Sequence, residues 1–458
     1  MSHWQKLLSW QRLGKKISPA QDPARSQFQM DYDRLVFSSA FRRLQDKTQV
    51  VPLPQSDYVR TRLTHSLEVS CIARTLGTLI GREICSRRNS GLKQIAATDF
   101  GAICAAAALA HDIGNPPFGH FGEDAIRHWF KTSPLARRIC DSGVLSPGQI
   151  ADIANYEGNA QGFRIVTRLQ MPDNDGGMQL TYATLGAFTK YPRVSLLPPS
   201  FIRGERRSMK KFGIFSSEKD YFIQVANHLG LAPFSPGDCV FQRHPLAFVT
   251  EAADDISYRV IDFEDGFRMG LIDYKTILSL FGQLAGKTAL AAALKKTRNQ
   301  RARIEYLRAR AINNLAELAV TSFLDNEGDI LSGKFDQSLI DTIGLQKPLK
   351  QIENISIDKI YGGATTLEVE LAGCEVIGYL LERFVTAVED VFVSGKNSSP
   401  LSRKLLELIP EQFVGPGQKP VDSAYTRLML ILDYVSGMTD SYAVSLYKKL
   451  HGINLPAR

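Results

Sequence analysis

Apolar residues recur along this chain at helical spacing, and few stretches alternate as a strand would. The Ala-rich run from Phe100 to Ala110 is apolar on every side and predicts a buried helix. Leu63, Leu67, Ile72, Leu76 and Leu79 predict a helix over about 63–86. Leu35, Phe37, Ala40, Phe41 and Leu44 predict another within 31–50, ending before Thr48-Gln49-Val50. The segment 245–266 reads as one more. Further helices are expected over 274–296, 299–325, 366–395, 400–409 and 422–450, with Gly/Asp/Lys-rich turns and short elements between 326 and 365. Tyr156 to Gln161 opens an amphipathic segment with Phe163, Ile165, Val166 and Leu169 apolar. A turn-rich loop follows at 171–178, then a helix towards Lys190-Tyr191-Pro192, then an irregular stretch over 192–220. No internal repeat is visible.

One stretch breaks this helical pattern with chemistry. Residues 109–123 read L-A-H-D-I-G-N-P-P-F-G-H-F-G-E. His111 and Asp112 stand where the apolar helix ends. Pro116 and Pro117 forbid its continuation. The turn then brings a second pair, His120 and Glu123, back towards the first. A lone histidine is most often a hydrogen-bonded core residue, but two His-carboxylate pairs in one turn-rich stretch point to a metal or catalytic site.

The 245–266 helix carries a second signal. Asp254, Tyr258 and Asp262 stand at one-turn intervals and share a face. Asp255 is turned about 100° away, in phase with Arg259 and Phe263. Asp254 is therefore the expected ligand of the two. His65 lies in the first turn of its helix, with Arg62 three residues earlier as a phosphate clamp. Gln49 offers donors and acceptors to a sugar or base edge. His65, His111, Asp112 and Asp254 together suit one divalent ion such as Mn²⁺, Mg²⁺, Fe²⁺ or Zn²⁺. Such an ion acidifies water and neutralises charge building on phosphorus, so the expected reaction is metal-assisted hydrolysis of a phosphate ester or anhydride. His120 with Glu123 forms the acid/base pair, the carboxylate orienting the imidazole.

Composition narrows the class. The chain has 458 residues, 44% hydrophobic and 22% charged, in the ordinary range of globular proteins. Its net charge of +8 weakly favours polyanionic partners. Six scattered cysteines form no C-x-x-C pair, which excludes a disulfide framework or zinc knuckle and suggests reduced, mostly buried thiols in the cytoplasm. There is no apolar signal core, and no run reaches membrane-spanning length. Three basic stretches remain open. Residues 1–30 read as a solvated arm or a contact; 203–211 as a solvated loop or a phosphate or nucleic-acid contact; 295–310 as a solvated helix surface. Asn159 and Gln161 either face the site or cap and hydrate their helix.

These motifs resemble the HD-domain superfamily and, within it, the deoxyguanosine triphosphate triphosphohydrolases. The resemblance runs through most of 25–275: F-S-S-A-F-R-R-L-Q-D-K-T-Q-V, R-T-R-L-T-H-S-L-E-V, A-H-D-I-G-N-P-P-F-G-H-F-G-E, Y-E-G-N-A-Q, T-K-Y-P and E-A-A-D-D-I-S-Y-R-V-I-D. It implies an all-α fold: a single helical unit over 1–458, with an HD-type core at 31–275 and a helical extension at 276–458 packed on it. It implies one metal ion per subunit, Mn or Mg first and Fe, Co or Zn next, held by His65, His111, Asp112 and Asp254. His120 and Glu123 are then the catalytic pair, and Arg62 holds the triphosphate. Gln49, Tyr258 and Asp262 surround the deoxyribose, and Lys190 and Tyr191 lie near phosphates and sugar. Val50 and Asn159 complete the substrate-facing set, and an arginine of 308–310 is a looser phosphate match. The implied reaction cleaves deoxynucleoside triphosphates, dGTP foremost, at the α-phosphorus, in a cytoplasmic homo-oligomer, a hexamer in many members. Some members bind single-stranded DNA. Asn115 departs from the pattern where many relatives have histidine, and Tyr156 stands for a commoner phenylalanine. The competing readings are an HD phosphohydrolase of monophosphates or alarmones, and a nucleic-acid-binding protein without activity.

Overall fold

A computed structural model describes residues 3–20, 22, 24–49, 60–87, 91–198, 201, 206–235, 237, 239–362 and 364–453. Val50 and Arg203 lie outside the described residues. Those residues form helices and isolated bridges, with no strand among them, so the fold is all-α.

The innermost layer pairs the Arg62–Ser86 and Ala97–Ala110 helices. The first starts where Thr61 accepts from the Thr64 N–H, a side-chain cap that satisfies one of the orphan donors of the first turn. Beyond the half-buried Ala102 the second has no polar face, and every residue from Ile103 to Ala110 is buried, Ala106–Leu109 fully. The Pro245–Arg268 helix packs across both. Around these three, one apolar core extends from Trp4 to Ile360. A second core gathers Trp129, Tyr156, Phe384, Leu432 and Tyr434, using the Ala364–Ser394 and Ala424–Ser436 helices. Ile113 belongs to the first core and Phe118 to the second, so the turn between them bridges the two.

Several expected elements are interrupted. The 31–50 helix is two, Gln27–Val36 and Ser39–Arg43. Ser38 accepts from the Phe41 N–H at 3.1 Å and starts the second one, leaving Phe37 exposed instead of in the core. The 274–296 helix breaks at Gly286, and 422–450 breaks between Ser436 and Asp440, where Thr439 caps the last helix. The 326–365 region holds a helix, Gln346–Ser356, prolonged by a π-helical turn to Tyr361. The Gly158–Arg164 segment is enclosed by both cores and not amphipathic.

The N-terminal stretch is not a solvated arm. Trp4, Leu7, Leu8 and Leu13 are in the core, and buried Arg12 pairs with Asp31 at 2.7 Å. Of the cysteines, Cys104 and Cys239 are buried, Cys71 is exposed, the others are half-buried, and no disulfide forms among the described residues.

Candidate active site

The start of Arg62–Ser86, the end of Ala97–Ala110 and the middle of Pro245–Arg268 open onto one cavity of about 630 Å³. His65 comes from the first turn of the Arg62–Ser86 helix, His111 from the cap of Ala97–Ala110, and Asp254 from the middle of Pro245–Arg268. One ligand atom from each falls within 4.8 Å of the others. Asp254 Oδ1 is 3.3 Å from His65 Nε2 and 3.7 Å from His111 Nε2.

The hydrogen bonding around this group suits a cation. His111 Nδ1 lies 2.6 Å from the Ala108 carbonyl, which accepts only from an N–H. In the neutral imidazole, Nε2 is then a lone pair aimed at Asp254, acceptor facing acceptor. Two imidazole nitrogens and a carboxylate oxygen form a donor set that fits a borderline divalent ion. Burial would raise the Asp254 carboxyl, but His111, His65 and Lys190 hold it at about 2. It is ionised at neutral pH, as a ligand must be.

Asp112 borders this group. Its Oδ1 is 3.5 Å from His111 Nε2 and accepts from Asn115 Nδ2 at 2.6 Å, while Oδ2 accepts from Arg62 Nη1 at 2.6 Å. Burial opposes its charge, but His111, Arg62 and His65 together hold its carboxyl far below the usual range. Arg62 is buried, with Nε lacking a partner among the described residues.

The turn from His111 to His120 needs two glycines. A Cβ on Gly114 would lie 2.1 Å from both the Gly158 carbonyl oxygen and the Gly162 nitrogen. Gly119 has φ +59° and lies against Arg62, whose Nη2 would sit 2.5 Å from a Cβ there. Beyond it His120 opens the His120–Thr132 helix, exposed at the cavity. Its Nδ1 lies 2.9 Å from Glu123 Oε2. Glu123 is buried, and its Oε1 accepts from the Gly158 N–H at 2.6 Å. Burial would raise its carboxyl; His120, Lys211 and the Gly158 N–H bring it down to about 2. A fixed carboxylate thus anchors one ring nitrogen and leaves the other towards the cavity.

The remaining wall divides by charge. Lys190, Tyr191, Arg207, Lys210 and Lys211 line it together. Buried Glu251 lies 3.4 Å from Lys190, 3.0 Å from Arg207 and 2.8 Å from Arg243. Arg207 also meets Asp341 at 2.7 Å and Asp255 at 3.8 Å, so cations and carboxylates alternate along this wall. Gln49, Asn159, Tyr258 and Asp262 also line the cavity. Gln49 Oε1 is buried without a partner among the described residues. Gln161, by contrast, is turned away to Asp433, 2.8 Å distant.

Some lining residues escaped the sequence reading. Tyr361 stacks on Tyr258 with centroids 5.5 Å apart and planes 5° apart, and its hydroxyl donates to Asp262 Oδ2 at 2.9 Å. Asp262 Oδ1 is buried with no partner among the described residues, and burial pushes this carboxyl up to about 6. Arg207, Lys210 and Lys211 fall in the basic stretch left open above. Asp255 reaches the cavity edge but accepts from Ser338 Oγ at 2.6 Å and faces Arg259 at 3.5 Å. Arg308 points to Glu264, 2.6 Å away, not into the cavity.

A helical fold that gathers a His-Asp pair, a second histidine and a distant aspartate is that of an HD-domain hydrolase, a metal-dependent class; the HD-domain family model matches residues 62–155. A deoxyguanosinetriphosphate triphosphohydrolase-like protein of Synechocystis sp. is 44% identical over 455 residues, 99% of this chain and all of that protein. One from Pseudomonas aeruginosa is 36% identical over 458 residues, again 99% of this chain and all of its own length. A deoxyguanosinetriphosphate triphosphohydrolase of Salmonella paratyphi A is 33% identical over 497 residues, 93% of this chain and 94% of that protein. The chain belongs to this family of triphosphohydrolases and triphosphohydrolase-like proteins, and it is a hydrolase. No helix among the described residues is long and apolar enough to cross a membrane.

Proposed function

We propose that this cavity hydrolyses deoxynucleoside triphosphates, dGTP foremost, at the α-phosphorus, releasing deoxynucleoside and inorganic triphosphate. The observation that carries the reading is the convergence of His65, His111 and Asp254 in the same cavity as Lys190, Arg207, Lys210 and Lys211. Asp112 is the fourth ligand in this proposal, close enough to His111 to join the group. Mn²⁺ or Mg²⁺ is the ion, and when bound it supplies a Lewis acid at phosphorus.

The chain's own residues do the rest. Arg62, Lys190 and the neighbouring cations hold the polyphosphate and offset its charge. Water attacks the α-phosphorus; the bond from that phosphorus to O5′ breaks, and a proton passes to O5′. His120 handles that proton, held in line by Glu123. Gln49 and the free Oδ1 of Asp262 accept from or donate to sugar and base groups, with Asn159 and Tyr191 completing the wall. Tyr258, backed by Tyr361, crowds the position a 2′-hydroxyl would occupy. Val50, next to Gln49, is assigned to the same sugar region by family resemblance.

The working form we infer is a cytoplasmic homo-oligomer, a hexamer by family resemblance. The surplus of 55 basic over 47 acidic residues favours single-stranded DNA as a further partner. The chain is proposed to act as one unit, with the 31–275 core carrying the site and 276–458 packed on it. The test is product analysis over all dNTPs and NTPs with Mn²⁺ or Mg²⁺. Intact triphosphate with free deoxynucleoside is expected, and NTPs should be poor substrates. Orthophosphate or pyrophosphate as the direct product would overturn the reading.

A further inference from the structure

The path of the turn between Asp112 and His120 sets where His120 stands relative to the His65–His111–Asp254 group. That turn makes backbone bonds of its own, the Asn115 N–H donating to the Asp112 carbonyl and the Gly119 N–H to the Pro116 carbonyl, each at 3.1 Å, and it is also braced from outside. Phe118 has φ +62°, a region that non-glycine residues seldom adopt, and Gly119 follows at +59°. Two buried polar side chains from elsewhere in the chain, Asp440 and Lys47, brace it. Asp440, the first residue of the Asp440–Leu450 helix, accepts from the Phe118 N–H through Oδ1 at 3.0 Å. Lys47 Nζ donates to the Asn115 carbonyl at 2.6 Å.

Each also grips a second segment. Asp440 Oδ2 accepts from the Thr48 N–H at 3.0 Å and the Thr48 hydroxyl at 2.6 Å, and Thr48 adjoins Gln49. Lys47 also donates to the carbonyl of Ser436, at the end of the Ala424–Ser436 helix, at 2.9 Å. Both side chains are almost wholly buried, Asp440 at 1% exposure and Lys47 at 4%. Apolar side chains fill a joint between two cores more stably than buried charges do. Polar groups with several directed bonds instead fix one backbone path.

We propose that Asp440 and Lys47 are positioning residues for the reaction. The C-terminal helices reach through them into the site, fixing the 115–119 turn that carries His120 and the 48–49 segment that carries Gln49. This inference rests on the activity proposed above for the cavity, and it gives the C-terminal region a role in turnover.

The test compares Asp440→Ala, Asp440→Asn and Lys47→Met with Ser441→Ala in the full-length protein. Ser441 is the control because its hydroxyl joins Asp46 at 2.9 Å, linking the same two segments without touching the turn. Asp440→Ala and Lys47→Met should lower kcat ~10–100-fold, as small misplacements of reacting groups do, with bound metal little changed and any rise in KM for dGTP, through Gln49, smaller than the fall in kcat. Asp440→Asn keeps one acceptor and should recover part of the loss; Ser441→Ala should match the parent. Hydrogen exchange of the 113–120 amides should quicken in Asp440→Ala and not in Ser441→Ala, whether or not substrate is turned over. A wild-type protein that leaves dNTPs intact would sink the activity proposal, while exchange would still test the brace. Parent-like kcat per folded molecule, or unchanged exchange at 113–120, would overturn the positioning role. If Asp440→Ala does not fold, Asp440→Asn and Lys47→Met decide on the same two readouts.

Discussion

Tyr361 donates its hydroxyl to Asp262 at 2.9 Å while its ring lies parallel to Tyr258, so one residue fixes two neighbours on another helix. The other oxygen of Asp262 is buried without a partner among the described residues. The Tyr258 ring is backed on one face and cannot swing that way.

Selectivity should therefore depend on Tyr361. Tyr361→Ala removes both the backing ring and the hydroxyl, and the ratio of kcat/KM for dGTP over GTP should fall by roughly tenfold or more, the scale of about 1–3 kcal/mol for a pocket contact. Tyr361→Phe keeps the stack and should lose less. A dGTP/GTP ratio unmoved by Tyr361→Ala would refute this assignment.

Metal retention should separate the two adjacent aspartates. His111→Ala and Asp254→Ala are expected to lose bound Mn²⁺ and turnover, since each supplies an atom of the converging group. Asp255→Ala should keep the metal and show its effect in thermal stability, because Asp255 is occupied by Ser338 and Arg259. Metal analysis of the purified variants checks this; a metal-free Asp255→Ala beside a fully loaded Asp254→Ala would reverse the assignment.

His120 and Glu123 should behave as one unit. His120→Ala should keep metal and substrate binding and lower kcat ~10²–10⁴-fold, the usual contribution of an acid/base group. Glu123→Gln should cost less in the same direction, and the double variant should be no slower than His120→Ala by more than a few-fold, with "few" meaning about threefold. Single-turnover kinetics measures it, and losses that multiply would argue against the pair.

Stability should fall as pH drops, through His244. This histidine is buried, with Nδ1 accepting from the Leu246 N–H and Nε2 donating to the Leu7 carbonyl at 2.9 Å. Burial lowers its pKa from 6.5 to about 4. The unfolded chain thus takes up a proton below about 6.5 that the folded chain refuses until about 4. The stabilisation from a neutral His244 is present above that window and lost on descending through it, at up to about 1.4 kcal/mol per pH unit. Burial raises Asp152, Asp262 and Asp265, which act in the opposite sense, so the informative quantity is a difference. His244→Asn keeps the cap acceptor, and the stability gap between parent and variant should narrow from pH 7 to pH 5 in urea titrations. A constant gap would exclude His244 as the source.

The parts of the site that were legible in the sequence lie within single elements. Asp254, Tyr258 and Asp262 follow from the pitch of one helix, and His111 and Asp112 from the end of one apolar run. What was hidden depends on distant partners. Tyr361 lies in a stretch that reads as turns, and only its approach to Tyr258 gives it meaning. Lys47 looks like any polar residue before a loop, and Asp440 like an ordinary residue within a predicted long helix, until each is seen against the 115–119 backbone. Breaks at Ser38 and Gly286 were missed because apolar periodicity runs on across a cap or a glycine. The core role of Trp4, Leu7 and Leu8 was masked by nearby basic residues.

The turn with Ile113 in one apolar core and Phe118 in the other makes activity a sensor of how the two cores are seated. Low urea, before the helices melt, should already loosen the seam and silence the enzyme. Turnover should then fade ahead of the far-ultraviolet circular dichroism signal, and return on dilution within the time the seam takes to close. Coincident loss of turnover and helicity would mean that the two cores yield together.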